Sequence, residues 1–284
     1  EEYEESDNMM KLYYKNGGNK IVVKNFSENP DYLNSISENK REFSIDTTSV
    51  NSELSDFGPS FYGDTIIFSS SQKDESGKLL SWNGLPFLDL YQADMDEKGN
   101  LSNVTKLNGD VNTQYNESST AITKDGKTLY FSSNMPGGLG GEDIWKVSVN
   151  GDSYGTPENL GSRVNTEGND SFPFITDDNV LYFSSDARAG LGGLDVFKVN
   201  LNDNSNAMNI GLPVNSEKDD FAFSYNTKHK VGFFSSNRDG VDNIYIADPI
   251  CGVEATITVK DAKTGKVLQG ATVAMIDEKL ELVG

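Results

Sequence analysis

Four carboxylates recur at one place in a repeated pattern. Asp56, Glu117, Asp170 and Asp220 each lie six residues after a valine, and the valines Val50, Val111, Val164 and Val214 each open a Val-Asn-Ser or Val-Asn-Thr tripeptide. Carboxylates held at equal height around an axis raise one another's pKa or recruit a counter-ion. A ring of these four would therefore suit a cation such as calcium, or a basic partner peptide. The same spacing suits a simpler chemistry, in which each acid accepts backbone N–H bonds within its own loop. A second recurrent set is Asp89, Asp143, Asp195 and Asn243, each followed by an aliphatic and then an aromatic residue. These read as structural repeat acids. At a strand start such a group bonds the hydroxyls or amides of a neighbouring turn, and Asn243 keeps that capacity while lacking acid–base chemistry. No residue is assigned a catalytic role.

Other chemistries are excluded by what the chain holds once or not at all. One histidine, His229, and one cysteine, Cys251, leave no multi-His metal centre, Cys-based zinc site or internal disulfide. A His-dependent triad would have to use His229, which sits between Lys228 and Lys230 in an expected turn and reads as exposed and inert. The runs Gly137-Gly138-Leu139-Gly140-Gly141 and Gly190-Leu191-Gly192-Gly193 have the composition of phosphate loops. A strand follows each, whereas a phosphate loop needs a helix N-terminus, so both read as hairpin loops with positive φ. The net charge of −20 argues against nucleic acid and anionic membrane as partners. No apolar run approaches the roughly 20 residues that span a bilayer. Glu1-Glu2-Tyr3-Glu4-Glu5 lacks the regions of a signal peptide, and the chain is expected to be an excerpt of a longer protein.

The elements that must position these acids are strands. Phe-Ser-Ser occurs at Phe68, Phe131, Phe183 and Phe234, each time closing a strand-like run such as Leu181-Tyr182-Phe183. A polar or Gly-rich loop follows, then the strand opened by the second set of acids. Three signatures in one order, four times over, describe four units of short antiparallel strands, and the unit length suits a four-stranded blade. The expected fold is mainly β: a β-propeller of four to six blades, with at least four visible repeats. Residues 9–40 are expected to hold one or two short helices, with Asn29 as N-cap before Pro30 and a break at Gly17-Gly18. After the last unit, strands are expected over 251–259 and 271–276 around a turn at Lys263-Thr264-Gly265-Lys266. The expected domains are 1–41, a helical segment; 42–249, the propeller; and 250–284, the start of a β-sandwich.

These residues carry a resemblance. Ser55-Asp56-Phe57-Gly58-Pro59-Ser60-Phe61, the stretch Leu129 to Gly138, Pro157-Glu158-Asn159-Leu160-Gly161 and the stretch Gly190 to Phe197 resemble the TolB-type propeller repeats of OmpA-family outer-membrane lipoproteins of the PorE-like type. Residues 252–277 resemble the start of a carboxypeptidase-regulatory-like domain, with Gly270-Ala271-Thr272-Val273 as its second strand. The resemblance implies that residues 1–41 are the tail of a TPR-like region and that peptidoglycan is held by an OmpA-like domain outside this sequence. It implies a place at the periplasmic side of the outer membrane and partners in type IX secretion or gliding motility. Such proteins carry a further unit between the first and second matching ones, so blade number stays open. The expected function is a non-catalytic protein-interaction scaffold of the cell envelope, without a cofactor unless calcium binds. The alternatives are a glycan- or calcium-binding propeller and a propeller glycan hydrolase or lyase. A hydrolase needs a converging acid pair, whereas the acids here repeat with the blades.

Overall fold

The computed structural model describes residues 2–17, 32–38, 41–72, 89–107, 120–150, 153–250 and 258–270. The chain divides into two compact units, Glu1–Ile250 and Cys251–Gly284.

The first unit is a four-bladed β-propeller with, among the described residues, two helices. Blade 1 is β2 (Asp56–Tyr62), β3 (Thr65–Ser70), β4 (Asp89–Met95) and β5 (Leu101–Lys106). Blade 2 is β6 (Thr120–Ile122), β7 (Thr128–Ser133), β8 (Asp143–Asn150) and β10 (Glu158–Asn159), with β9 (Ser153–Tyr154) beside β8. Blade 3 is β11 (Asp170–Ile175), β12 (Val180–Ser185), β13 (Asp195–Asn200) and β14 (Met208–Asn209). Blade 4 is β15 (Asp220–Asn226), β16 (Val231–Ser236), β17 (Asn243–Pro249) and, as its outer strand, β1 (Phe43–Thr47). Strand β1 runs antiparallel to β17, with Phe43 opposite Pro249 and Thr47 opposite Tyr245. The last blade is thus completed from the N-terminal side of the first.

Alternation along the second strand of blades 3 and 4 fills the seams on either side of each. In β12, Leu181 and Phe183 face blade 2 and pack with Tyr130 and Ile144, while Tyr182 faces blade 4 and packs with Phe223 and Phe43. In β16, Phe234 faces blade 3 and Phe233 faces blade 1, where it meets Ile66 and Phe68. Phe68, Phe183 and Phe234 are all fully buried, each worth about 2–3 kcal/mol of transfer free energy. In blades 3 and 4 the Phe-Ser-Ser strand is packed between two neighbours, whereas Phe131 of blade 2 is only half-buried.

Helix α1 spans Glu2–Lys15 and stops at Gly17, whose φ of 79° suits a left-handed C-terminal residue. It begins earlier than the expected 9–40 region. Helix α2, Tyr32–Glu38, buries Tyr32 and Ile36 against Ala189 and Leu191 of the loop after β12. The expected cap at Asn29-Pro30 lies outside the described residues. In the second unit, the described residues 258–270 form a turn. Lys260 pairs with Val267, and the Asp261 carboxylate accepts the N–H groups of Lys263 and Thr264. The expected strand 271–276 and most of 251–259 lie outside the described residues.

Candidate interaction face at the loop end of the propeller

One end of the propeller carries tight hairpin turns. The other carries the loops after each Phe-Ser-Ser and the connections that lead from one blade to the next. The seven described recurrent positions, Asp56, Asp170, Asp220, Asp89, Asp143, Asp195 and Asn243, each open a strand at this loop end.

Each of the three described blade-to-blade connections is fixed by its Val-Asn-Ser/Thr tripeptide. The Asn51 amide accepts the Ile244 N–H at 2.7 Å and donates to the Ile244 carbonyl at 2.8 Å, like a one-residue strand. Asn165 treats Ile144 the same way (2.7 and 2.9 Å), and Asn215 treats Val196 the same way (2.8 Å for both). In every case the target is the aliphatic residue that follows the second-set acid or amide of the preceding blade. The two signatures recur together because one binds the other.

The first-set acids complete the junction. Asp56 Oδ2 accepts the Ser52 N–H and hydroxyl at 2.5 and 2.8 Å. Asp170 does so with Thr166 (2.5 and 2.7 Å) and Asp220 with Ser216 (2.6 and 2.7 Å). Their own N–H groups donate to the preceding blade, at the carbonyls of Asp242, Glu142 and Leu194 respectively. Two residues on, a β-bulge turns the chain to positive φ at Gly58, Phe172 and Ala222. The bulge N–H of Gly58 donates to Ser235 Oγ, and that of Ala222 to Ser184 Oγ, so the first serine of Phe-Ser-Ser also reaches across a seam.

All three described acids of this set are fully buried. Asp220 Oδ1 accepts Arg238 Nη2 at 2.5 Å, while the matching oxygens of Asp56 and Asp170 have no hydrogen-bond partner in the structure. Burial pushes the Asp170 carboxyl up, against the pull of Thr166, and lowers Arg188 nearby. Arg188 and Arg238 lie over the ring pairs Phe183/Phe197 and Phe234/Tyr245 and donate to the carbonyls of Val164 and Val214. At the inner strands, aromatic rings meet from three blades: Phe172 lies 5.0 Å and Phe57 6.0 Å from Phe221. Among the described residues, no three His, Cys, Asp or Glu side chains gather to hold a metal ion. Glu117 and Cys251 lie outside the described residues.

The second set caps the loops that lead into it. Asp143 accepts the N–H groups of Leu139 (2.5 Å) and Gly140 (3.2 Å) and the Asn159 amide (2.9 Å). Asp195 Oδ2 accepts Leu191 N–H at 2.5 Å, with Gly192 and the Asn209 amide farther off at 3.4 Å, and Oδ1 has no partner. Burial, with some help from the Asp220 charge, pushes Asp195 up to about 7. Asp89 takes Lys106 at 2.7 Å. Asn243 Oδ1 is buried without a partner.

The outward-facing acids are others, which the spacing of buried ones concealed. Glu53, Glu167 and Glu217 follow the serine or threonine of the three described tripeptides, and all three are exposed. Their signal in the sequence was present: the fourth tripeptide is followed by Gln114. His229 also differs from the sequence reading. Its side chain is only 13% exposed, and Nε2 lies 3.2 Å from Asp64 Oδ1, joining the hairpin turns of blades 4 and 1.

No protein-family model matches the chain, and no curated protein sequence matches it. Solved structures do. A gluconolactonase from Xanthomonas campestris is 13% identical over 72% of this chain and 60% of that one, with a TM-score of 0.33. A TolB-type structure from Agrobacterium tumefaciens is 17% identical over 72% and 80%, with a TM-score of 0.38. An α-L-arabinofuranosidase from Lactobacillus brevis is 12% identical over 74% and 72%, with a TM-score of 0.30. The chain thus spans less than two thirds of the gluconolactonase. These scores carry no argument about activity. The expectation that the chain is not an enzyme is corrected, since a gluconolactonase and a glycoside hydrolase are among the propellers it matches.

Proposed function

We propose that this chain is a protein-interaction scaffold of the bacterial cell envelope and that the loop end of the propeller is its binding face. The observation that carries the reading is the division of labour among the acids. The buried aspartates are bonded into the blade junctions, while Glu53, Glu167 and Glu217 stand outside at equivalent places on three successive connections. Three carboxylates repeated on rigid loops favour a basic partner surface and speed its approach. The residue stretches that resemble TolB-type repeats of PorE-like lipoproteins support a place at the periplasmic side of the outer membrane. By the same resemblance the partners are components of type IX secretion or gliding machinery, and peptidoglycan is held through a domain outside this sequence.

The test is capture of partners from envelope extracts by the chain and by its Glu53→Gln, Glu167→Gln, Glu217→Gln triple variant. The variant is expected to melt as the parent does and to lose the captured protein at physiological salt. Equal capture by both would refute the binding face.

A further inference from the structure

A cleft of about 400 Å³ opens between blades 2 and 3, toward the hairpin-turn end. Tyr130, Lys146, Glu158 and Arg163 line it together with Leu160 and Asn202. Its size is that of small-ligand sites, and its mixture of a ring, aliphatic side chains, amides and two cations is that of a recognition pocket. The repeat shows what the neighbouring seam does with the same space. Lys198 holds in blade 3 the place that Lys146 holds in blade 2, three residues after the second-set acid, and Tyr182 corresponds to Tyr130. Between blades 3 and 4, Lys198 Nζ donates to both carboxylate oxygens of Glu42, at 2.5 and 2.7 Å. Phe43, the next residue, packs in the core that includes Tyr182. Glu42 and Phe43 reach that position because blade 4 has a long outer strand, β1. Blade 3 has only Met208–Asn209 as its outer strand. Lys146 is left with Glu158 of its own blade, 3.2 Å away, and that carboxylate is 69% exposed. Arg163 is anchored at the rim by the carbonyls of Ser205 and Asn200.

We propose that this cleft is a binding site for a peptide segment with an acidic residue next to an aromatic one, Lys146 taking the carboxylate and Tyr130 with Leu160 taking the ring. The chain itself supplies the template, since Glu42-Phe43 occupies the next seam in this way. On a protein of net charge −20, two cations against one exposed acid make the cleft a local exception that favours an anion. The proposal does not depend on the loop-end reading, because none of the three exposed glutamates lines the cleft.

The test is a titration of the isotope-labelled chain with N-acetyl-Glu-Phe-amide, followed by amide shifts at Lys146, Asn179 and Asn202. Saturable shifts there are expected. N-acetyl-Gln-Phe-amide and the Lys146→Met variant should each bind about tenfold more weakly, as loss of a charge-assisted bond requires. Glu158→Gln should bind the acidic probe more tightly, because the competing carboxylate is gone. The melting temperature of each variant establishes that it is folded. The proposal is overturned by equal binding of the glutamine probe, by shifts confined to Lys198 and β1, or by a cleft that answers to glucuronate and not to the peptide.

Discussion

Replacing Asp195 by asparagine should stabilise the propeller, and should do so only above the pH at which the carboxyl of the unfolded chain ionises. Its carboxyl is buried with one oxygen unpartnered and is pushed from 3.8 to about 7. Below pH 3.8 the folded and unfolded chains both hold the proton, and the group contributes nothing to the difference. Between 3.8 and 7 the unfolded chain releases the proton while the folded chain keeps it, so stability falls as pH rises. Above 7 the loss is complete. At about 1.4 kcal/mol per pKa unit the full penalty is at most about 4 kcal/mol. Asparagine has no proton to lose, and the repeat already uses it at Asn243 in blade 4. Asp195→Asn should therefore melt with the parent near pH 4 and several degrees above it at pH 8, since 1 kcal/mol is about 2–4 °C in a chain of this size. Asp143→Asn is the contrast. Both Asp143 oxygens accept hydrogen bonds, so that variant should lose about 1–2 kcal/mol. Calorimetry across pH 4–8 reads both. A pH-independent gain for Asp195→Asn, or a lower melting temperature at pH 8, would refute the reasoning.

Three further outcomes are expected. Asn215→Ala strands the N–H of Val196 in a buried seam, while its carbonyl keeps the Ile210 N–H, and should cost about 1–3 kcal/mol by denaturant unfolding. Ala222→Gly removes a Cβ from a residue at φ 53°, where blade 1 uses Gly58, and should gain about 0.5–1 kcal/mol by the same assay. A chain beginning at Arg41 should keep cooperative unfolding, whereas one beginning at Thr48 lacks β1 and should lose it, as followed by circular dichroism.

The blades were legible because a repeat writes the same physics four times. The Phe-Ser-Ser strand, the strand after it and the tripeptide before it are all visible as letters. Strand β1 was not, because an outer strand needs little from its sequence: only Phe43 of its five residues is buried. The repeated asparagines were visible but their work was not. Asn51 bonds Ile244, 193 residues away, and no local pattern encodes that distance. Charge spacing could not separate the buried Asp56, Asp170 and Asp220 from the exposed Glu53, Glu167 and Glu217, because burial depends on which way each connection turns. His229 misled for the same reason. Flanking lysines suggest solvent, yet its partner Asp64 comes from the hairpin turn of another blade.

Hydrogen–deuterium exchange on the chain with and without a captured envelope partner tests the proposed binding face most directly. Protection that gathers on the connections 50–56, 164–170 and 214–220 is the predicted result. Protection confined to the hairpin turns at Asp64, Asp125 and Asp178, with those connections unchanged, would contradict it.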